Sequence, residues 1–228
     1  MLDIHSFTPQ FGCEIVGLDL RQPIEDTTFD RVHVALTRYA VGVFRQNAPV
    51  PNQPLIDFSL RFGPIQRTPV LTITGRRERI VEPEIVDQSN LDHDGRIFPE
   101  NDKRLLFKRA NQQWHTDMSF HPVRATWSLL AAHVLPPSGA DTEFADMRAA
   151  YDALPGETRR KIDKLVCEHS IFNSRAKLGF TNFSAEERAA MPPVPQVMVR
   201  TIPQTGRRCL YLASHAGRVI GMDEAEGK

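Results

Sequence analysis

Cysteine is scarce in this chain. Cys13, Cys167 and Cys209 are odd in number, far apart and form no Cys-x-x-Cys pair. That pattern suits a reducing compartment and argues against a thiolate metal centre or a disulfide framework. An excess of either charge is also missing. Lys plus Arg equals Asp plus Glu at 28 each, with a sequence pI near 7.1, so no electrostatic case exists for a nucleic-acid partner. No apolar run is long enough to span a bilayer: the longest, around "WSLLAAHVL", is short and contains His133. The start, "MLDIHSFTPQFG", lacks the basic and apolar regions of a signal peptide. Repeats and low-complexity tracts are absent too. These absences lead us to expect a soluble, cytoplasmic protein without membrane or nucleic-acid partners, and leave a homo-oligomer open.

What is present is enough for one sizeable core. A chain of 228 residues that is 41% hydrophobic fits a single domain. "CEIVGLDL" (13 to 20) reads as a strand. "DTTFDRVHVALTRYA" (26 to 40) reads as a helix with Phe29, Val32, Leu36 and Tyr39 on one face. "VGVFR" is a short strand, and "NQPLIDFSLRFGP" repeats the helical spacing at Leu55, Phe58 and Phe62 until Gly63-Pro64 stops it. Residues 66 to 111, rich in charge, Pro and Gly, read as a long excursion of the kind that forms functional lids. "WHTDMSF", "ATWSLLAAHVL" and "TEFAD" look like strands. Asp146 is placed to cap "MRAAYDAL", and Pro155 to open a helix through "PGETRRKIDKLVCEHSI" with Ile162, Leu165, Val166 and His169 on one face. Ser184 and Glu187 have capping-box spacing, and "QVMVRT", "IPQTG" and "RRCLYLAS" read as a hairpin. Strand pairs flanking a helical insertion predict a β-sandwich or jelly roll carrying helices rather than a doubly wound sheet.

The stretch with chemistry in it is "NQQWHTDMSFHP" (111 to 122). On a strand, His115 and Asp117 would project to the same side, an imidazole beside a carboxylate. Composition alone produces about one His-x-acid triplet in a chain like this, so the triplet is a weak motif by itself. At the other end, "GMDEAEGK" places Asp223 and Glu226 as a helix would begin, with no apolar face after it. It reads as a helix start cut short.

Several segments in one order carry a resemblance: "GLDLRQPI", "VGVFRQ", "RFGPIQ", "NQQWHTDMSF", "PPSGADTEFADMRAAYDALP", "AMPPV" and "GRRCLYLASHAGRVIGM". Together, from about Phe11 onward, they resemble the iron(II)- and 2-oxoglutarate-dependent dioxygenases of the taurine and phenoxyacetate-herbicide type. Pro136 to Pro155 and "SHAG" look closest to the phenoxyacetate branch. The resemblance implies a double-stranded β-helix, a jelly roll that lacks its last helix and closing strands here. It makes His115 and Asp117 the first two Fe(II) ligands, and gives Thr142 the distal carboxylate of 2-oxoglutarate. Thr142 as an ordinary strand threonine is the alternative. The family's second ligand His and its carboxylate-binding Arg have no counterpart in this sequence.

Among the other histidines, His121 follows the predicted strand, His133 falls inside one, His169 on a helix face and His215 in a loop. His215 is the best candidate to line a substrate pocket. The basic stretches "TGRRER" and Lys108-Arg109 suit an anionic substrate or a solvated surface. The implied reaction uses Fe(II), 2-oxoglutarate, O2 and ascorbate as stimulant, releases succinate and CO2, and hydroxylates a small anionic substrate of aryloxyalkanoate or sulfonate type. A non-catalytic barrel fragment is the alternative, and a His/Asp metallohydrolase the third reading.

Overall fold

The computed structural model describes residues 2–67 and 79–227. Its strands and helices follow in the order β1 (Asp3–Ser6), β2 (Cys13–Val16), α1 (Asp26–Tyr39), β3 (Gly42–Val43), α2 (Asn52–Leu60), α3 (Lys103–Arg109), α4 (Met147–Asp152), α5 (Gly156–Ile162), β4 (Val166–His169), α6 (Ile171–Ala176), α7 (Ala185–Ala190), β5 (Val194–Val197), β6 (Val199–Thr201), β7 (Arg208–Leu210) and β8 (Ala216–Val219). A short 3-10 turn, Ala110–Gln112, follows α3. The described residues form two compact units. One draws on residues 2–65, 129–150 and 201–207, the other on 66–67, 79–128, 151–200 and 208–227.

The first unit is built around α1. Most of its predicted face is found: Phe29, Val32 and Leu36 are buried, with Ala35 beside them, while Tyr39 is half-buried. A three-stranded sheet, β1-β2-β3, carries Cys13 and Ile15 inward, pairing β1 antiparallel and β3 parallel to β2. The strand predicted for 13 to 20 stops at Val16, because Gly17 turns the chain with φ +81°. At Gly42 a Cβ would lie 2.3 Å from Leu36 Cδ2, so a larger residue there would require the Leu36 side chain to shift. Phe29, Phe58 and Phe62 meet edge to face, at centroid distances of 4.9 to 6.3 Å. Arg61 lies 4.5 Å over the Phe29 ring and bonds the Ile24 carbonyl and Asp26. Asp146 does cap α4, accepting from the Arg148 amide at 2.9 Å.

Two predicted strands are absent from this unit. Most of "ATWSLLAAHVL" and all of "TEFAD" are irregular. A strand needs a ladder partner, and none is present for them among the described residues. The apolar run is accordingly in solvent, with Val134 91% and Leu135 75% exposed. His133 is exposed on it rather than held in an apolar strand.

In the second unit β4 is the centre of a three-stranded sheet, β5-β4-β8, antiparallel on both sides. The helix predicted to run from Pro155 through residue 171 ends at Ile162 instead. Ile162, Leu165, Val166 and His169 do have helical spacing. Pairing with β5 and β8 nonetheless makes Val166–His169 a strand, and alternation buries Cys167 and His169 on one side. Ile171, Phe172, Phe183 and Met191 form the core, with Phe107, Phe120 and Phe180 packed on it. The capping box at Ser184 and Glu187 is present, at 2.8 and 3.1 Å. The expected hairpin is β6 with β7.

The excursion from 66 to 111 is not featureless where it is described. Asp102 caps α3 by accepting from the Arg104 amide at 2.9 Å, and Lys108 donates to the carbonyls of Asp87 and Ser89 at 2.9 and 2.6 Å. Most of "TGRRER" lies outside the described residues; its last member, Arg79, pairs with Asp87 at 2.8 Å. Near the end of the chain Asp223 accepts from the Glu226 amide at 2.9 Å, in a turn rather than a helix.

Candidate active site

His115 and Asp117 do come together, but not on a strand. Residues 114–116 are irregular and 117–120 form a turn in which Met118 takes φ +56°. The turn brings His115 Nε2 to 3.1 Å from Asp117 Oδ1. Anchors from distant segments replace the missing ladder. Gln113 Nε2 donates to the Ser174 carbonyl at 2.8 Å, and the Ser214 amide donates to the Trp114 carbonyl at 3.0 Å. From β5, Gln196 Nε2 donates to the carbonyls of Ser119 and His121 at 3.1 and 3.2 Å.

The imidazole is oriented at both nitrogens. His115 Nδ1 lies 2.8 Å from the Gln113 carbonyl, which can only accept, so Nδ1 carries a proton. Nε2 is left to face the carboxylate. The hydrogen bond with Asp117 holds the His115 imidazole above its ordinary value, against the opposing effect of burial. The same bond holds the Asp117 carboxyl below its usual range, assisted by Ser128. Nε2 and the Asp117 carboxylate are the groups that would hold a divalent cation, whose binding competes with protonation of either. The donor set therefore fits a metal: a neutral imidazole fixed by its far nitrogen and a hard carboxylate at its near one.

His215 is the nearest other histidine in character. It is 3% exposed, its ring lies 6.1 Å from that of His115 and 4.9 Å from Phe120, and its Nδ1 has no hydrogen-bond partner. Burial first, then Arg175 and the neighbouring histidines, pull its pKa down to about 3, so the ring is neutral across the physiological range. Among the described residues, no group of three or more His, Cys, Asp or Glu side chains is gathered to hold a metal. Thr142 lies in the first unit, exposed and irregular. His121 is occupied with Gln66 and the Val123 carbonyl. His169 sits on β4, not on a helix: 1% exposed, stacked on Tyr211 at 5.6 Å, with burial lowering its pKa to about 4.

Residues 3–228 match the taurine catabolism dioxygenase TauD, TfdA family. The alpha-ketoglutarate-dependent 2,4-dichlorophenoxyacetate dioxygenase of Cupriavidus pinatubonensis is 38% identical over 220 residues, which cover 96% of this chain and 76% of that one. The chain belongs to the TauD/TfdA dioxygenase family. By family it is an oxidoreductase. A second TauD/TfdA relative, the (S)-phenoxypropionate/alpha-ketoglutarate-dioxygenase of Sphingobium herbicidovorans, is 31% identical over 99% of this chain and 75% of its own. Among solved structures, AAD-2 in complex with Mn(II) and N-oxalylglycine superposes with a TM-score of 0.87 at 41% identity, covering 100% of this chain and 76% of that one. A 2,4-D dioxygenase-like protein from Burkholderia xenovorans gives 0.77 at 32% identity, over 100% and 75%. The mixed helix-and-sheet fold described above is thus that of TauD/TfdA proteins.

One buried residue near the pair carries no mark in its sequence context. Arg175, in α6, is 5% exposed, and its charge opposes protonation of both His115 and His215. "FNSRAKLGF" reads as an ordinary amphipathic stretch, and a buried arginine there becomes visible only once the fold is known.

Proposed function

We propose that this chain is an Fe(II)- and 2-oxoglutarate-dependent dioxygenase that hydroxylates a small organic acid, and that His115 and Asp117 hold the iron. The observation that carries the reading is the 3.1 Å approach of Nε2 to Oδ1, with Nδ1 committed to the Gln113 carbonyl. Bound Fe(II) would supply activation of O2 coupled to oxidative decarboxylation of 2-oxoglutarate to succinate and CO2. The chain's own groups do the rest. Gln113 fixes the tautomer of His115, and Phe120 and the neutral His215 form an adjoining wall. We assign His215 to the substrate pocket and Thr142 to the distal carboxylate of 2-oxoglutarate. The fold belongs in this reading to the double-stranded β-helix class, as one catalytic domain.

The relatives' substrates favour an aryloxyalkanoate. Hydroxylation of the carbon bonded to the ether oxygen gives a hemiacetal, which splits into a phenol and a 2-oxoacid. The test is anaerobic Fe(II) titration of His115→Ala and Asp117→Ala beside the native chain, with succinate measured on phenoxyacetates and alkylsulfonates. Both substitutions are expected to abolish iron binding and turnover together. Undiminished Fe(II) affinity in either variant would remove that residue from the site. Turnover that runs on Zn(II) without 2-oxoglutarate or O2 would make the protein a hydrolase instead. For Thr142→Val, a raised 2-oxoglutarate requirement with normal iron affinity is expected; an unaltered requirement would leave Thr142 structural.

A further inference from the structure

Arg175 is a cation buried without a counter-ion among the described residues. One terminal nitrogen donates to Ser174 Oγ at 2.8 Å, the other to Asn111 Oδ1 at 3.3 Å, and the guanidinium lies 4.2 Å over the Phe107 ring. These partners are neutral, the second bond is long, and Nε has no partner at all. No acidic side chain pairs with Arg175 among the described residues. A lone buried charge is expensive to desolvate, and a protein keeps one mainly where something else brings the opposite charge. The guanidinium fork matches a carboxylate, which can take two parallel N–H groups at once.

Its location says which carboxylate. Ser174, the residue before Arg175, accepts from Gln113, the residue whose carbonyl orients His115. Phe107, under the guanidinium, and Phe120, against His215, pack on one core, so the cation and the proposed substrate wall share that core. We propose that Arg175 receives the carboxylate of the organic-acid substrate. This rests on the reading of the site given above and adds the group that selects for an acid. Burial lowers Arg175 to about 10, which leaves it charged at neutral pH and able to serve. An aryl ring reaching from that carboxylate would meet apolar surface such as Phe107 and Phe120, which flank the same core.

The experiment compares phenoxyacetate with phenoxyacetamide, which has the same shape and no charge. Binding to the native chain is measured anaerobically by calorimetry, so no turnover is required. The acid is expected to bind more tightly than the amide. Arg175→Gln is expected to weaken the acid on the order of 10- to 100-fold while leaving the amide and 2-oxoglutarate unchanged, and Arg175→Lys to recover part of the loss. Equal losses for acid and amide would make Arg175 a packing residue and overturn the proposal. A loss that falls on 2-oxoglutarate would overturn it too. Should Arg175→Gln fail to fold, the native chain still decides. The Nε–H resonance of 15N-labelled Arg175, assigned with Arg175→Lys, is expected to move on addition of phenoxyacetate and not of the amide. A resonance that stays put with the acid rejects the assignment. A chain that forms no succinate but shows the acid-specific shift would keep this inference and refute the dioxygenase reading.

Discussion

Arg148 and Arg175 are both buried arginines, 3% and 5% exposed, one in each unit, and they are satisfied in opposite ways. Arg148 meets the Asp146 carboxylate through Nε and a terminal nitrogen at 2.8 and 3.0 Å, and reaches the carbonyls of Arg38 and Gln10 at 2.9 Å each. Its charge is neutralised and its fork is filled by the protein itself. Arg175 has a hydroxyl, an amide oxygen and a ring face, with one nitrogen left over. The first arrangement closes the first unit by tying α4 to the residues after β1 and to the end of α1. The second leaves a demand that folding alone does not meet. Burial of the same side chain therefore signals structure in one place and recognition in the other, and the difference lies in the partners.

The largest expected effect is on Arg148. Arg148→Ala takes the cation from the Asp146 carboxylate, whose side chain is 10% exposed and keeps only its backbone donors, and leaves two carbonyls without their donor. A loss of about 3–5 kcal/mol is expected in urea unfolding, the usual result of breaking one side of a buried pair. A loss under about 1 kcal/mol would put Arg148 in the same class as Arg175. Next comes acid. Burial pushes the Asp146 carboxyl up, but the bonds from Arg148 outweigh it and hold the carboxyl below its ordinary 3.8. A depressed carboxyl stabilises above its unfolded value, and that contribution disappears as pH falls through the folded one. Native stability should therefore drop below about pH 4 by more than that of Asp146→Asn, which has already lost the linked term. Parallel pH curves for the two proteins would contradict the pairing.

Ser184→Ala supplies a local reference, since it removes a cap on the exposed helix α7 without touching either arginine. It should cost about 1 kcal/mol, read from the urea midpoint. The smallest effect is expected for Arg175→Met, which removes the unpaired charge and keeps most of the volume. Stability should stay within about 1 kcal/mol of native or rise, because replacing a poorly compensated buried charge with an apolar chain is often neutral or favourable. A fall as large as that of Arg148→Ala would show that Arg175 holds the fold, and the contrast between the two would be lost.

Local signals were legible. The apolar spacing of α1, the cap at Asp146 and the box at Ser184 and Glu187 are found where the residues put them, while α2 ends at Leu60, short of Gly63-Pro64. Each depends on neighbours a few positions away. Most of the readings that failed concern strands. Val166–His169 has helical spacing and is a strand, while residues 127–135 are apolar and form none. Strand formation depends on a partner remote in the chain, which periodicity does not report. The pairing of His115 with Asp117 came out as anticipated by another route, a turn held by Gln113, Ser214 and Gln196 in place of a shared strand face.

The order of motifs determined by itself which family this chain joins, and the triplet at 115–117 singled out the imidazole and carboxylate that approach each other. Several caps were decided there as well, because a capping side chain acts on amides within one turn of it. The tertiary structure alone decided which apolar runs find a ladder and how the His115 ring is oriented. It also decided that Arg175 is enclosed with no acidic partner among the described residues. Burial and charge compensation are sums over neighbours, and for Arg175 those neighbours include Asn111 and Phe107, which only folding brings to it.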